Sequence, residues 1–354
     1  MKTKYLDVKN CHELLPSNTG LSLISRLDEC LNGINNLDGP LNGEIDNLIK
    51  QNEKTSGLKK GYKRLCSSPI EIMQVPDLQT QIINTQAVER SFAGPALLHT
   101  VLGYRFGIES KTTIPLQFIL KKWGDASKDY QCYIHVISSR VRGMGNFNNL
   151  LKRELSDKDN YYYVGITGRN WLLRLDEHIR EMLKGNRRVF YEKWREMTQS
   201  DDVLFSSFLR DINLSFEEAM DWEEKYVDKI ASDAYGLNMI PGGFKGLKLL
   251  HKYRIIKNID IDLDEREKAI YEYLKKHPRK GLPNPFISEL WKDDDFYLKN
   301  IQARKKSLST EQVRKIRDMV IQGKGSKQIY IEVKAFNERQ VKNVIQGKTY
   351  RRIK

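Results

Sequence analysis

Residues 161–185, YYYVGITGRNWLLRLDEHIREMLKG, contain the change of pattern that decides the fold of the middle of the chain. Residues 161–166 are mostly β-forming, which is typical of a mostly buried strand. Turn-forming residues follow at 167–170, and residues 171–185 then have the spacing of an amphipathic helix that ends near Gly185. An earlier run of β-formers at 130–140, YQCYIHVISSR, predicts another strand. We therefore expect two strands followed directly by a helix.

The composition favours a folded protein with more than one domain. The chain has 354 residues, of which 40% are apolar and 10% aromatic, and domains of ~100–200 residues would give two or three of them. No window approaches the ~18 uninterrupted apolar residues of a membrane span, and the opening MKTKYLDVKNCHELL lacks the apolar stretch of a secretion signal. The 4 cysteines are scattered and fit a reducing compartment. We expect an intracellular, cytoplasmic protein without membrane contact.

The positive charge is concentrated in residues 306–354. The whole chain has a formal net charge of +14, and this segment, with 13 basic and 4 acidic residues, contributes +9. Residues 131–250 contain 18 of each and are neutral. A Lys/Arg-rich module of this kind suits binding to a phosphate backbone, whereas a solvated basic tail is the alternative if the segment lacks apolar periodicity.

Apolar residues at helical spacing predict three short helices in this basic segment. Ser309 or Thr310 can cap the first, Ser326 the second and Asn337 the third. The three apolar clusters are Val313, Ile316 and Val320, then Ile329 and Val333, then Val341, Val344 and Ile345. Three helices can bury one small core while the third keeps a polar face free for a major groove, which is a helix-turn-helix arrangement.

The same segment resembles the helix-turn-helix modules appended to bacterial and phage homing endonucleases, although Lys334 stands where that family commonly has glycine. The resemblance includes the closing residues 346–350, QGKTY, and implies that the partner is double-stranded DNA. The residues expected to contact DNA are Arg339, Gln340, Lys342, Asn343, Gln346 and Lys348.

A later helix carries one acid on its apolar face. Residues 215–232, SFEEAMDWEEKYVDKIAS, begin with a capping box formed by Ser215 and Glu218. Glu223 falls among the apolar positions, where a carboxylate is costly unless it is paired, hydrogen-bonded or holding a metal. A buried ion pair and a functional site both remain open. Arg174 and His178 lie four residues apart on the earlier helix, and arginine is well suited to a phosphate diester.

The order of these residues resembles the GIY-YIG nuclease module. A strand, Tyr163-Val164-Gly165, Arg174 and His178 on a helix, Glu223 on another helix and Gly236-Leu237-Asn238 follow one another over about residues 130–245. The best match to the first half-motif is Tyr133-Ile134-His135, which puts His135 where the family has a tyrosine. His135 is then either a catalytic group or simply a strand residue. Glu224 is the alternative to Glu223.

The resemblance implies hydrolysis of phosphodiester bonds at a single site. Glu223 would hold one divalent cation, Mg²⁺ or Mn²⁺, and Arg174 would bind the scissile phosphate. Tyr163 would orient or deprotonate the attacking water, with His178 and His135 assisting, and Asn238 would brace the site. A tyrosine can act as a base only if its pKa, ~10 when free, is lowered by Arg174 or the metal.

These patterns predict an α+β multidomain protein. We expect a mostly helical region of unknown role at 1–127, a small nuclease domain with an antiparallel sheet flanked by helices at 128–250, a linker or small helical module at 251–305, and an all-α helix-turn-helix at 306–354. The predicted function is a metal-dependent DNA endonuclease, homing or restriction-like. The alternative is a non-catalytic DNA-binding regulator with a degenerate nuclease domain. The sequence sets no oligomeric state.

Overall fold

The computed structural model combines helices with a mixed β-sheet, in two compact units, Met1–Pro283 and Asn284–Lys354. The structure describes residues 2–15, 20–39, 42–56, 70–76, 81–87, 97–105, 108–139, 160–199, 203–231, 236–277, 282, 284–302 and 306–353. Among these residues no helix is long and apolar enough to cross a membrane.

The described strands of the first unit form one seven-stranded sheet in the order β2-β1-β3-β4-β7-β5-β6. The strands are β1 (Ile70–Pro76), β2 (Gln81–Ala87), β3 (Leu97–Arg105), β4 (Ile108–Pro115), β5 (Tyr130–Ser139), β6 (Asn160–Thr167) and β7 (Val203–Leu214). β5 pairs antiparallel with β6 on one side and with β7 on the other. β4 continues the sheet through parallel pairing with β7, so the sheet is mixed rather than purely antiparallel.

The helices of the first unit precede the sheet, connect its strands and follow it. They are α1 (Val8–Leu14), α2 (Leu21–Asn35), α3 (Glu44–Ser56), α4 (Trp171–Leu183), α5 (Val189–Thr198), α6 (Phe216–Ala231), α7 (Gly243–Lys252) and α8 (Leu263–Lys276). Neighbouring residues of β5 face different cores: Tyr133 belongs to the buried cluster that contains Trp171 and Phe190, whereas Cys132 belongs to the one that contains Met220 and Leu250. The period of two along a strand thus places helices on both faces.

Local hydrogen bonds explain where the helices around the site begin. The Asn170 side chain accepts from the backbone N–H groups of Leu172 and Leu173 and starts α4. The predicted capping box at α6 is confirmed, since Glu218 N–H donates to the Ser215 hydroxyl and Ser215 N–H donates to the Glu218 carboxylate. Each cap satisfies N–H groups that the first helical turn leaves without a partner.

Two of the predicted domain limits do not coincide with the observed division of the chain. Within the described part of residues 1–127, for which a mostly helical region was predicted, strands β1–β4 join the same sheet as the predicted nuclease strands. The predicted module at 251–305 is divided between the two units. Both differences come from long-range pairing and packing, which local periodicity does not report.

The second unit contains the three helices that were predicted at its end. Its helices are α9 (Pro285–Leu290), α10 (Asp294–Gln302), α11 (Thr310–Ile321), α12 (Ser326–Val333) and α13 (Glu338–Ile345). Ser309 and Gln312 form a capping box at α11, and Asn337 caps α13 as predicted. Gly325, rather than Ser326, is the cap residue of α12, and the Ser326 hydroxyl donates to Glu338 instead.

The core of α11–α13 follows the predicted spacing with two changes of register. Val313, Ile316, Ile329, Val333, Val341 and Val344 are buried together. Val320 and Ile345, which were expected in this core, are exposed, and Met319 is buried in place of Val320. A shift of one residue turns a side chain by about 100° around a helix, which is enough to move it from core to solvent.

Candidate functional site

The pairing of β5 with β6 places Tyr133 opposite Gly165 and His135 opposite Tyr163. The ring of Tyr133 lies against Gly165: a β-carbon added to this glycine would be 2.5 Å from the ring carbon Cζ and 2.5 Å from the hydroxyl oxygen. Glycine is therefore the residue that lets the tyrosine ring cross the neighbouring strand. The glycine of the Tyr163-Val164-Gly165 sequence serves to seat Tyr133.

Tyr133, His178 and Tyr191 form a buried hydrogen-bonded row. The Tyr133 hydroxyl lies 3.2 Å from His178 Nε2, and the Tyr191 hydroxyl lies 2.8 Å from His178 Nδ1. Burial, together with the positive charge of Arg174, holds the pKa of His178 well below its usual range. His178 is therefore a neutral imidazole that bridges two hydroxyl groups, and it fixes the position of Tyr133.

His135 lies behind this row and does not line the cleft. It is fully buried and stacks with Tyr163 and Phe190, at ring-centroid distances of 6.1 and 5.9 Å. Its Nδ1 pairs with the Ser207 hydroxyl at 2.8 Å, and burial lowers its pKa well below the usual range. Tyr133, two residues earlier on the same face of β5, is the residue that reaches the cleft. His135 was predicted in the place of the first-motif tyrosine, and the structure places Tyr133 rather than His135 in the lining of the cleft.

Arg174 projects from α4 into a cluster of acids. Its Nη1 donates to Glu177 Oε2 at 2.8 Å and its Nη2 donates to Glu267 Oε2 at 3.0 Å. Arg188, which precedes α5, donates from Nη1 to the same Glu267 oxygen at 2.8 Å. Burial alone would raise the pKa of the Glu267 carboxyl, but the guanidinium groups of Arg188 and Arg174 outweigh it and lower the pKa to about 2. Glu267 is therefore ionised.

Glu223 takes part in a buried ion pair with Arg266 of α8. Arg266 Nη1 and Nη2 donate to the two carboxylate oxygens of Glu223 at 2.8 and 3.2 Å, and the Gly243 N–H donates at 2.9 Å. The side chains of Glu223 and Arg266 are only 6% and 9% exposed. The sequence left two interpretations for the acid on the apolar face of α6, a buried ion pair and a functional site. The structure contains the ion pair.

Asn238 braces the edge strand of the sheet. Its side-chain oxygen accepts from Val164 N–H and its side-chain nitrogen donates to the Val164 carbonyl, both at 2.9 Å. The N–H of Leu237 donates to the Tyr162 carbonyl at 2.8 Å. Asn238 thus pairs with β6 as a strand residue would, and it holds Tyr163 and Gly165 in register.

A cleft of about 170 Å³ brings several of these side chains together. Its lining includes Tyr133, Tyr163, Arg174, Glu223, Arg266 and Glu267. A second cleft of about 60 Å³ shares Tyr163, Glu223, Arg266 and Glu267 and adds Arg188 and Asn238. The predicted residues Tyr163, Arg174, Glu223 and Asn238 therefore line the two clefts, whereas His178 and His135 lie behind them.

Tyr163 is protonated in this environment. Burial raises the pKa of its hydroxyl and the nearby Glu267 carboxylate raises it further, although Arg188 and Arg174 act in the opposite direction. The pKa of Tyr133 is also raised by burial. A base role for Tyr163 requires a lowered pKa, so this arrangement supports its use as a hydroxyl donor that orients a water or a phosphate oxygen rather than as a phenolate base.

The Mg²⁺ or Mn²⁺ ion that the resemblance implies does not fit the site as it is arranged. The Glu223 carboxylate is already held by Arg266 and by the Gly243 N–H. A divalent cation on the same carboxylate would lie close to a guanidinium in a buried place, where like charges repel strongly. Among the residues that the structure describes, no group of three or more His, Cys, Asp or Glu side chains could hold a metal.

The predicted DNA-contacting residues occupy the end of the second unit. Arg339, Lys342, Gln346 and Lys348 are exposed on or just after α13, and Asn343 is half-buried. Gln340 differs from the prediction, since its side-chain oxygen accepts from Phe336 N–H and its amide donates to the Lys306 carbonyl. Its contacts hold the start of α13 to the turn before it and to the segment before α11. Lys342 also forms an ion pair with Glu338.

Sequence reasoning missed Tyr133, Arg188, Arg266 and Glu267. The alternation along β5 could have indicated Tyr133, because it lies on the same face as His135. Arg266 and Glu267 carried no such signal, since charged residues are common on exposed helices. No family model, curated protein or solved structure matches this chain.

Proposed function

We propose that this protein is a DNA endonuclease that hydrolyses phosphodiester bonds at the cleft of the first unit. The supporting observation is the meeting of Tyr133, Tyr163, Arg174 and Glu223 around one cleft. These residues come from two strands and two helices separated by up to ninety positions of sequence, and the GIY-YIG resemblance anticipated all of them but Tyr133.

Arg174 supplies the group that phosphodiester chemistry needs most. A guanidinium stays charged at any working pH and donates two parallel hydrogen bonds to phosphate oxygens. Located in a partly buried cleft, it stabilises the additional negative charge that develops on the phosphate in the transition state. The protonated hydroxyls of Tyr133 and Tyr163 orient the attacking water or a phosphate oxygen. His178 and Asn238 act as positioning residues for these tyrosines.

Helices α11–α13 are proposed to deliver the protein to double-stranded DNA. Exposed Arg339, Lys342 and Lys348 provide positive charge on and beside α13, as contacts to phosphates and base edges require. Binding by a separate basic unit agrees with the neutral sum of residues 131–250, because affinity then does not depend on the charge of the nuclease domain.

The cleavage test uses the full chain and a mixture of duplex DNA, with Mg²⁺ or Mn²⁺ and with EDTA. Wild-type protein is expected to nick or cut, and Arg174→Ala is expected to lower the rate at least ~10²-fold, as loss of one transition-state donor does. Arg180→Ala, an exposed arginine on α4, is the matched control and should cut at the wild-type rate.

Glu223→Gln is the second variant of the test. Asp221→Asn, which changes an exposed acid on α6, is its control. Circular dichroism must accompany Glu223→Gln, since loss of one partner of a buried ion pair costs ~3–5 kcal/mol. Equal cutting by all folded variants would exclude this cleft as the catalytic site.

A non-catalytic DNA-binding regulator is the second candidate, and one observation favours it. Arg174 and Glu223 are both neutralised by residues of α8, as expected if the site has become structural. Binding of duplex DNA without any cutting, in wild type and in both variants, would select this candidate.

A further inference from the structure

Two adjacent residues of helix α8, Arg266 and Glu267, have opposite charges and pair with different side chains of the cleft. Arg266 pairs with Glu223, and Glu267 accepts from both Arg174 and Arg188 through a single oxygen. Two guanidinium groups brought to one oxygen repel each other unless an anion lies between them. The structure thus contains a two-arginine anion site whose present occupant is a carboxylate of the same chain.

The geometry of the arginine pair suits an anion with more oxygens than a carboxylate. Arg174 and Arg188 are held at fixed positions by α4 and by the start of α5, and their side chains are only 15% and 14% exposed. Arg188 Nε is buried and has no hydrogen-bond partner among the described residues. A phosphate group could accept from this unused donor as well as from the two Nη groups, since arginine binds phosphate through several donors at once.

A competing anion has to displace only the Glu267 side chain, because other contacts hold the rest of α8. Arg266 and Ile270 of this helix are buried, and Leu263, Ala269, Tyr273 and Leu274 are partly buried against the core. Arg266 also keeps its ion pair with Glu223, whichever anion the two arginines hold. Exchange of the Glu267 carboxylate for a phosphate therefore replaces one anion by another without removing these contacts.

We propose that Arg174 and Arg188 form a phosphate-binding site and that Glu267 occupies it as an internal substitute for phosphate in the free protein. Glu267 is then an autoinhibitory group that must leave the two arginines before a phosphodiester enters. The identification of the phosphate as one of DNA depends on the proposed function, whereas the phosphate site itself does not. Arg188 becomes a second substrate-binding arginine beside Arg174.

The first test measures binding of inorganic phosphate to the full chain by isothermal titration calorimetry, with chloride at matched ionic strength as the reference. Glu267→Gln removes the internal anion and should bind phosphate at least ~10-fold more tightly than wild type. Glu272→Gln, an exposed acid on the same helix, should bind like wild type. Adding Arg188→Met to Glu267→Gln should abolish the gain. A folded Glu267→Gln that binds phosphate no better than wild type, or binds none, would overturn the proposal.

A second measurement needs no variant and covers the case in which Glu267→Gln fails to fold. Phosphate should accelerate amide hydrogen exchange in α8 of the wild-type protein, because it displaces Glu267, while chloride at the same ionic strength should not. Unchanged exchange in α8 at high phosphate concentration would count against the proposal.

The outcomes separate this inference from the proposed function. Tighter phosphate binding by Glu267→Gln without cleavage of duplex DNA would retain the phosphate site and reject the nuclease. Cleavage at the same rate by wild type and Glu267→Gln, with no gain in phosphate binding, would retain the nuclease and reject autoinhibition by Glu267.

Discussion

At the scale of single residues, Gly165 determines whether Tyr133 can reach the cleft. Gly165→Ala would place a β-carbon 2.5 Å from the Tyr133 ring, so the ring must move and its contact with His178 is lost. We expect the free energy of unfolding to fall by about 1–3 kcal/mol, as overpacking usually costs, and DNA cleavage to fall with it. Urea unfolding measures the first effect.

Gly33 in α2 is the matched control for this substitution. A β-carbon at Gly33 meets nothing within 4 Å, and alanine is preferred over glycine inside a helix. Gly33→Ala should therefore raise the free energy of unfolding by about 0.5–1 kcal/mol. If Gly165→Ala is as harmless as Gly33→Ala, the close packing of Tyr133 over β6 has no energetic role.

Lys334 gives a second prediction at this scale. It ends α12 in the left-handed region, with φ 53° and ψ 43°, where a residue with a side chain is disfavoured and glycine is not. Lys334→Gly should stabilise α11–α13 by about 1 kcal/mol, seen as roughly fivefold slower hydrogen exchange of α13 amides. Lys334→Ala, which keeps the strained backbone, should leave exchange near the wild-type rate. Faster exchange in Lys334→Gly would contradict this account.

Residues of the site could be predicted from the sequence where both their chemistry and their order along the chain matched the GIY-YIG pattern. Tyr163, Arg174, Glu223 and Asn238 were all identified from the sequence, and they line the clefts. His135 was predicted as a site residue, whereas Tyr133 lines the cleft. Residues 133 and 135 share one face of β5, and alternation alone cannot say which of them faces the cleft. That choice depends on the partner strand, since Tyr133 lies opposite Gly165.

At the scale of elements, the ion pairs of α8 predict how stability depends on pH. The pKa of Glu267 is about 2 in the folded protein, below the usual value of a glutamate, near 4.3. A lowered pKa stabilises the fold above pH 4.3, and this contribution is lost as the pH falls towards 2. The shift corresponds to about 3 kcal/mol, at 1.36 kcal/mol for each pKa unit.

Urea unfolding of wild type and Glu267→Gln between pH 5 and pH 2 measures this contribution. The stability advantage of wild type should shrink by about 2–3 kcal/mol over that range, because the glutamine does not titrate. Glu272→Gln should follow wild type at every pH. A constant difference between wild type and Glu267→Gln would mean that Glu267 is not held ionised by the two arginines.

Elements were predictable from sequence where the signal is local. The helices α4, α6 and α11–α13 have apolar spacing and caps, and strands β5 and β6 are runs of β-formers. By contrast, β7 was not predicted although it is an interior strand of the sheet, between β4 and β5. Its position is set by pairing with strands far away in sequence, and the docking of α8 likewise depends on ion pairs with Glu223 and Arg174 that no local pattern reports.

At the scale of the whole molecule, the predicted cleavage residues and the most basic segment lie in different units. The predicted cleavage residues belong to Met1–Pro283, and the most basic segment belongs to Asn284–Lys354. If the second unit provides affinity by contacting phosphates, removal of its positive charges should weaken DNA binding without changing the rate of the chemical step. Mutations in the second unit should then affect binding and not cleavage. This would not be possible if one site performed both.

The double variant Arg339→Ala with Lys348→Ala tests this separation. Each lost phosphate contact should weaken duplex binding and make the slope of log K against log salt concentration less steep by about 0.9. The cleavage rate at saturating DNA should stay at the wild-type value, because Arg174 and the tyrosines are untouched. Lys292→Ala, an exposed lysine of the second unit outside α11–α13, is the control and should keep the wild-type slope. An unchanged slope in the double variant would show that α13 and the residues after it do not contact the DNA backbone, and the basic segment would then need another partner.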